Sequence, residues 1–133
     1  MFTFETVSKL RKLQTPFYYY DLDVLNETCR KIKENADQYG FKVHYAVKAN
    51  ANPRLLRLIS SYGFGADCVS GNEITRSISE GFSPEGIVFA GVGKSDFEIE
   101  TALRNNIYCF NCESVPEIEV INDLAGKAGK IAN

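Results

Sequence analysis

Hydrophobic and polar positions along the chain follow a unit that occurs four times: a short apolar segment, a polar turn and an amphipathic helix. The apolar segments lie at residues 43–48, 65–69, 87–90 and 107–110, and each has the length of a strand. Strands that alternate with helices in this way predict an α/β fold with a parallel sheet. The units share no detectable sequence similarity, so the repetition is one of architecture.

Serine marks the predicted start of the last three helices. Ser70, Ser95 and Ser114 each precede a glutamate by three residues. This is the capping-box pattern, in which the two side chains satisfy free backbone N–H groups at a helix start. The caps recur at the spacing of consecutive βα units.

Residues 1–40 predict an N-terminal region made of an arm, an initial strand and a helix. The first residues carry apolar side chains at helical spacing, and Pro16 ends that helix. The aromatic run 17–20 predicts the strand. Asp21 or Asp23 is expected to cap the helix that follows.

Two architectures fit the four βα units of residues 41–133. One is a complete small open sheet. The other is the first half of a (β/α)₈ TIM barrel, a fold that needs about 250 residues. The strand-like ending 130–133 favours a barrel truncated after about four strands, but periodicity alone leaves both open.

Composition narrows the possible partners. The chain has 133 residues, of which 44% are hydrophobic, and a net charge of −2 with acids and bases mixed. This charge distribution does not indicate nucleic acid or a membrane surface as a partner. No apolar run is long enough to span a bilayer, and no signal peptide is evident, so we expect a cytoplasmic location.

Two short motifs look like metal or phosphate sites but lack the rest of their pattern. Cys109 and Cys112 form C-x-x-C within an apolar strand, where residues three apart point to opposite faces, and no second pair completes a zinc site. Gly93-Lys94-Ser95 resembles the end of a phosphate-binding loop, but Val88 stands where that loop needs glycine. We therefore predict no metal site and no nucleotide loop, and four cysteines that are small core residues.

The segment 43–48 carries the most specific chemistry. It is predicted as a buried strand that ends on Lys48, with the small Ala46 on the same face. Asn52 and Pro53 then begin a helix, so a primary amine stands at the carboxyl end of a strand, where α/β folds place their active sites. The ordinary alternative is a lysine whose ammonium reaches water. In a buried setting the pKa of the amine falls, and the neutral amine can condense with an aldehyde such as that of pyridoxal phosphate.

Several segments, in the right order, resemble motifs of the pyridoxal phosphate-dependent decarboxylases with an alanine-racemase-like barrel. The similarity covers essentially the whole chain. The segments are Thr15–Asp21, Tyr45–Asn50, Gly63–Glu73, Lys94–Ser95 and Asn111–Ser114 with Glu117.

The resemblance implies roles for individual residues. Lys48 would hold pyridoxal phosphate covalently, Ala46 would lie near its ring, and Asp67 would face the same pocket and position the amine or the ring. The ordinary alternative for Asp67 is a strand-end acid that pairs with a base. Glu73 is expected to be a helix cap, and His44 a core residue inside the strand.

The resemblance also implies an activity, which is the decarboxylation of a small-molecule amino acid. The motifs are most similar to those of members that convert meso-2,6-diaminopimelate into L-lysine and CO₂. One alternative is a decarboxylase that acts on arginine, ornithine or carboxynorspermidine. The other is a barrel that carries pyridoxal phosphate without catalysis. Members are expected to be homodimers with a further β domain. Because the phosphate-binding glycines and the partner of the ring nitrogen are absent here, this piece alone is predicted to be inactive.

Overall fold

The computed structural model describes residues 3–133, so Met1 and Phe2 of the predicted arm lie outside it. Six α-helices and four strands are found in that range. The helices are α1 (Phe4–Leu10), α2 (Leu22–Gln38), α3 (Pro53–Ser60), α4 (Gly71–Ser79), α5 (Asp96–Asn105) and α6 (Val115–Lys127). The strands are β1 (His44–Ala46), β2 (Gly65–Cys68), β3 (Ile87–Phe89) and β4 (Cys109–Phe110), with 3₁₀ turns at Val47–Ala49 and Pro84–Gly86.

The four strands form one parallel sheet in the order β1-β2-β3-β4. Each strand pairs with the strand before it, and a helix connects the two. In a doubly wound open sheet the strand order reverses at a switch point, whereas in a barrel it follows the chain. The observed order is that of a barrel.

The register divides the sheet into two faces. One face carries a row of register partners on successive strands: Ala46, Asp67, Val88 and Cys109. The other face carries residues that pack under the helices: Tyr45, Ala66, Cys68, Ile87, Phe89 and Phe110.

The main core lies between this second face and the helices. Leu56 of α3, Ile74 of α4 and Phe89 of β3 are fully buried in it. Burying each such side chain stabilises the fold by about 1.5–3 kcal/mol. Leu103 and Ile121 belong to a second cluster that joins α5 to α6.

The predicted helix starts are confirmed. The Ser70 and Ser114 side chains accept hydrogen bonds from the N–H groups of Glu73 and Glu117. At the third cap, the Glu98 carboxylate accepts from both the N–H and the hydroxyl of Ser95. Further upstream, Asp21 caps α2 and Asn52 caps α3, which has Pro53 in its first turn.

The strand predicted over residues 17–20 is wrong. This segment forms no regular secondary structure and pairs with no strand among the described residues. Its aromatic side chains lie at the surface, and Tyr18 is 89% exposed. High β propensity does not form a strand without a partner that can accept its backbone hydrogen bonds.

Predictions on the thiols and the chain end are also corrected. Cys29 and Cys68 are buried, but Cys109 is half-buried and Cys112 is exposed. No strand forms at residues 130–133, although the Asn133 carbonyl accepts a 2.8 Å hydrogen bond from the N–H of Phe110.

Within residues 3–133 no cluster of His, Cys, Asp and Glu side chains is suited to a metal ion. No described helix is long and apolar enough to cross a membrane.

Candidate functional site

Lys48 lies in the 3₁₀ turn that follows β1 at the carboxyl edge of the sheet. The predicted strand is shorter than expected, because the chain turns at Val47, whose side chain is fully buried and anchors the turn. The side chain of Lys48 is exposed, so the predicted burial of this lysine is wrong. Among the described residues it makes no hydrogen bond or ion pair, which leaves the amine accessible to a ligand.

The turn that carries Lys48 is fixed by a network around Asn50. The Tyr45 hydroxyl donates to the Asn50 carbonyl at 3.1 Å, and the Asn50 side-chain amide donates to the Tyr20 hydroxyl at 3.0 Å. The Asn50 Oδ1 atom accepts from the N–H of Asn52 at 2.9 Å. Burial raises the pKa of Tyr45, so its hydroxyl keeps the proton that it donates. These hydrogen bonds fix the backbone that follows Lys48 and connect it to the Tyr45 side chain of β1.

Sequence reasoning missed the role of Asn50 and Tyr20 in this network. The Asn50-x-Asn52 spacing was a signal for Asn50, because asparagine side chains bind the backbone N–H two residues on. No local signal identified Tyr20, which reaches the turn from thirty residues upstream in the sequence.

Asp67 of β2 is the register partner of Ala46 of β1, and the two side chains share the face that does not pack under the helices. The Oδ1 atom of Asp67 is buried and has no hydrogen-bond partner among the described residues. Buried polar atoms in native proteins are almost always satisfied, so such an atom indicates a partner outside this set. The small Ala46 side chain leaves space beside it.

His44 lies at the opposite end of β1 and is half-buried, not fully buried as predicted. Its ring packs against the backbone of Gly65, where an added Cβ atom would come within 2.3 Å of the His44 Cδ2 atom. His44 therefore belongs to the amino-terminal edge of the sheet and is separated from Lys48 by the length of the strand.

Two glutamates connect neighbouring βα units at the carboxyl edge. Glu98 of α5 accepts a 2.9 Å hydrogen bond from the N–H of Gly71, the first residue of α4. The N–H groups of Gly71 and Ser95 and the Ser95 hydroxyl lower the pKa of Glu98. A negative charge at these helix N-termini is also favoured by the helix dipoles.

The second glutamate, Glu117 of α6, binds the ammonium of Lys94 at 3.0 Å. Burial alone would raise the pKa of Glu117, but the N–H of Glu113 and the Lys94 ammonium outweigh burial and lower it. Glu73, predicted as a cap, accepts a hydrogen bond from the N–H of Val69. It therefore caps its own helix, α4, and does not contact a neighbouring βα unit through this bond.

The thiols near the sheet are poor nucleophiles. Burial raises the pKa of Cys68 to about 12, and burial also raises the pKa of Cys109 and Cys112. The reactive form of cysteine is the thiolate, which these shifts disfavour. Lys48, exposed and without a hydrogen-bond partner among the described residues, is an accessible amine at this edge.

The residues at this edge fit a cofactor with an aldehyde. Ala46 and Asp67, with its buried unsatisfied carboxylate oxygen, are register partners on adjoining strands, and the accessible amine of Lys48 follows in the turn after β1. Together they define a class of protein: a parallel βα barrel unit that presents a lysine beside its first strand.

The chain belongs to the pyridoxal-dependent decarboxylases, because the sequence model described as "Pyridoxal-dependent decarboxylase, pyridoxal binding domain" matches residues 22–132. Among curated relatives, the diaminopimelate decarboxylase of Bacteroides thetaiotaomicron is 56% identical over 128 residues, which are 96% of this chain and 33% of that protein. The diaminopimelate decarboxylase of Helicobacter pylori is 43% identical over 129 residues, which are 97% of this chain and 31% of that protein. The chain thus spans about a third of the length of these relatives.

Solved structures show the same relationship. The crystal structure of Helicobacter pylori diaminopimelate decarboxylase complexed with L-lysine has a TM-score of 0.84 and 40% identity, and the match covers 95% of this chain and 32% of that chain. The arginine decarboxylase of Paramecium bursaria Chlorella virus has a TM-score of 0.66 and 25% identity, with 74% of this chain and 27% of that chain covered.

These findings confirm the predicted family and the predicted partial (β/α)₈ barrel. They leave the roles of Lys48, Ala46 and Asp67 as predictions, together with the division at residue 40.

Proposed function

We propose that the polypeptide carrying this chain is a pyridoxal phosphate-dependent decarboxylase that converts meso-2,6-diaminopimelate into L-lysine and CO₂. The full-length polypeptide is a protein that contains this chain and has the length of its relatives. The observation that carries the proposal is the 56% identity to a diaminopimelate decarboxylase over 96% of the chain. L-lysine in the complex of a structural neighbour is consistent with this product.

Each site residue has a separate part in this proposal. The exposed amine of Lys48 holds the cofactor covalently, and the turn fixed by Asn50 keeps that amine at the carboxyl edge. Ala46 leaves room for the ring. The unsatisfied Oδ1 atom of Asp67 accepts a hydrogen bond from the cofactor or from an amine, which supplies the partner that the described residues lack. When bound, pyridoxal phosphate takes up the electrons that remain on the α-carbon as CO₂ leaves.

A comparison of two lysine variants tests the activity. In the full-length polypeptide, Lys48→Ala is expected to abolish release of CO₂ and L-lysine from meso-2,6-diaminopimelate, because no other described lysine lies in this turn. Lys42→Ala is the control, since Lys42 lies before β1 and stacks on the Tyr108 ring at 5.1 Å. Equal activity of wild type and Lys48→Ala would contradict the proposal.

The second candidate activity is decarboxylation of arginine, ornithine or carboxynorspermidine. The similarity to a viral arginine decarboxylase favours the same reaction class, but its 25% identity is lower than the 40% identity to a diaminopimelate decarboxylase. Values of kcat/KM for the four amino acids separate these substrates. We expect meso-2,6-diaminopimelate to exceed each of the others.

We also propose that the full-length polypeptide is a cytoplasmic homodimer with an N-terminal region ending near residue 40, followed by the barrel that residues 41–133 begin. Support comes from the family and from the open strand edge at β4, which requires further chain to close a barrel. Sedimentation of the purified protein tests the dimer, and a monomer at assay concentration would contradict it.

A further inference from the structure

Lys94 is the lysine whose ammonium is most completely enclosed by protein oxygens. Its side chain is 1% exposed, and Nζ donates to the Gly91 carbonyl at 2.7 Å, to the Asn111 carbonyl at 2.9 Å and to Glu117 at 3.0 Å. These acceptors come from the loop after β3, the loop after β4 and the first turn of α6. One buried charge therefore joins two successive βα loops at the carboxyl edge.

We propose that Lys94 is a positioning residue for the cofactor site, which it serves by fixing the β3–α5 and β4–α6 loops at the mouth of the barrel. This inference rests on the proposed function, because it assigns the loops to the wall of the site that Lys48 begins.

Lys94 has no free N–H bond on its ammonium to offer the cofactor. All three N–H bonds of its ammonium are already used, and Nζ lies 5.4 Å from the centre of the Phe89 ring. Phe89 belongs to the sheet face under the helices, whereas Asp67 belongs to the opposite face. Lys94 thus acts through the backbone that it holds.

Asn111 connects Lys94 to the strands that carry the proposed site. Asn111, whose carbonyl binds Lys94, also donates its N–H to the Phe89 carbonyl at 2.9 Å and so extends the pairing of β3 with β4. Val88 and Cys109 on these strands continue the row that begins with Ala46 and Asp67. A shift of the two loops would therefore move the wall beside the unsatisfied Asp67 oxygen.

Removal of the ammonium would take the charged donor away from the Glu117 Oε1 atom and from two backbone carbonyl groups, whereas Glu117 Oε2 keeps its hydrogen bond from the N–H of Glu113. Buried groups that lose a charged partner bear the full cost of desolvation, so the loops are expected to rearrange until water reaches them. The β3–α5 and β4–α6 loops, which form the wall of the proposed site, would then no longer hold one conformation.

The chain contains a matched control in Lys130. Its Nζ atom also binds three oxygens: the Leu103 and Arg104 carbonyls at 2.5 and 3.3 Å and the Asn106 side chain at 2.7 Å. These groups lie at the C-terminal end of α5, which is the edge of the sheet opposite to Lys48. Lys130→Met removes a similar set of bonds without touching the proposed site.

The experiment uses the full-length polypeptide and compares Lys94→Met, Lys94→Arg and Lys130→Met with wild type. Pyridoxal phosphate is titrated into each protein after removal of bound cofactor, and absorbance gives Kd; thermal unfolding of the same samples gives Tm. Lys94→Met is expected to raise Kd by about tenfold or more, the effect of one charged hydrogen-bond set. Lys94→Arg should recover part of this loss, and Lys130→Met should lower Tm while Kd stays within about twofold of wild type.

The result that overturns the proposal is an equal Kd for Lys94→Met and wild type, or an equal rise in Kd for Lys94→Met and Lys130→Met. If Lys94→Met does not fold, Glu117→Gln takes its place, with an expected rise in Kd of about threefold. An unchanged Kd for Glu117→Gln then overturns the proposal. If wild type binds no pyridoxal phosphate, the proposed function fails as well, whereas normal binding by wild type and all variants contradicts only the role of Lys94.

Discussion

At Gly65 the backbone passes so close to its neighbours that a methyl group has no room. An added Cβ atom would lie 2.3 Å from both the Gly86 carbonyl oxygen and the His44 Cδ2 atom. One of these contacts is with backbone, which cannot move without displacing β3. The residue therefore sets how closely β1, β2 and β3 approach at the amino-terminal edge.

Gly65→Ala is expected to lower the free energy of unfolding by about 1–3 kcal/mol, the usual cost of forcing atoms into a packed region. Gly126→Ala is the control, because nothing lies within 4 Å of a Cβ atom there and alanine favours the helix. Denaturant unfolding of the two variants, followed by circular dichroism, checks the difference. A Gly65→Ala protein as stable as wild type would contradict the close contact.

Residue patterns predicted part of the site and missed the rest for physical reasons. The roles of Lys48, Ala46 and Asp67 stay predictions from a motif, and the structure places these residues on β1, on the turn that follows it and on β2. The burial of Lys48 was mispredicted, because alternation along a strand cannot show that the chain turns at Val47.

The enclosed ammonium of Lys94 was missed, because its partners Gly91, Asn111 and Glu117 meet only when two βα units pack.

Between elements, the glutamate in the first turn of α5 does more than cap its own helix. Glu98 binds Ser95 in its own cap and the N–H of Gly71 at the start of α4. The capping box predicted the first contact from sequence spacing. The second depends on the packing of α5 beside α4, which no local pattern contains.

The lowered pKa of Glu98 gives a signed pH dependence. The folded state binds a proton at Glu98 less readily than the unfolded state, so this carboxylate stabilises the fold above its ordinary pKa of about 4.3. That stability is lost as the pH falls through the lower pKa of the folded state. Glu98→Gln should therefore lower Tm near neutral pH, and the difference from wild type should shrink in acid.

Thermal unfolding at a series of pH values measures this difference. Glu119→Gln, on an exposed position of α6, is the matched control and should leave Tm nearly unchanged throughout. A Glu98→Gln difference that stayed constant from neutral to acidic pH would contradict the assigned contacts.

On the scale of the whole molecule, the sheet has open edges at β1 and β4. Beyond β4, Val115 and Ile118 of α6 and Ile131 leave large apolar surface exposed, Ile131 to 90%. Unpaired strand edges and apolar patches of this kind favour association with further chain. The spacing of the caps predicted consecutive βα units, but periodicity alone left the open sheet and the barrel as alternatives, because closure depends on segments outside these units; the resemblance to a known family favoured the barrel.

The 133-residue chain by itself is expected to release no CO₂ from meso-2,6-diaminopimelate, because four strands supply only part of a barrel wall. A decarboxylation assay of the purified chain beside the full-length polypeptide checks this expectation. Comparable rates for the two proteins would show that residues 1–133 hold a complete site.

The most direct test of the central claim is to locate the lysine that carries the cofactor. The full-length polypeptide is loaded with pyridoxal phosphate, treated with borohydride to make the attachment permanent, digested and analysed by mass spectrometry. We expect the added mass on Lys48 in wild type and in Lys42→Ala, and no added mass at position 48 in Lys48→Ala. Label on another lysine, with Lys48 unmodified, would show that Lys48 does not hold the cofactor.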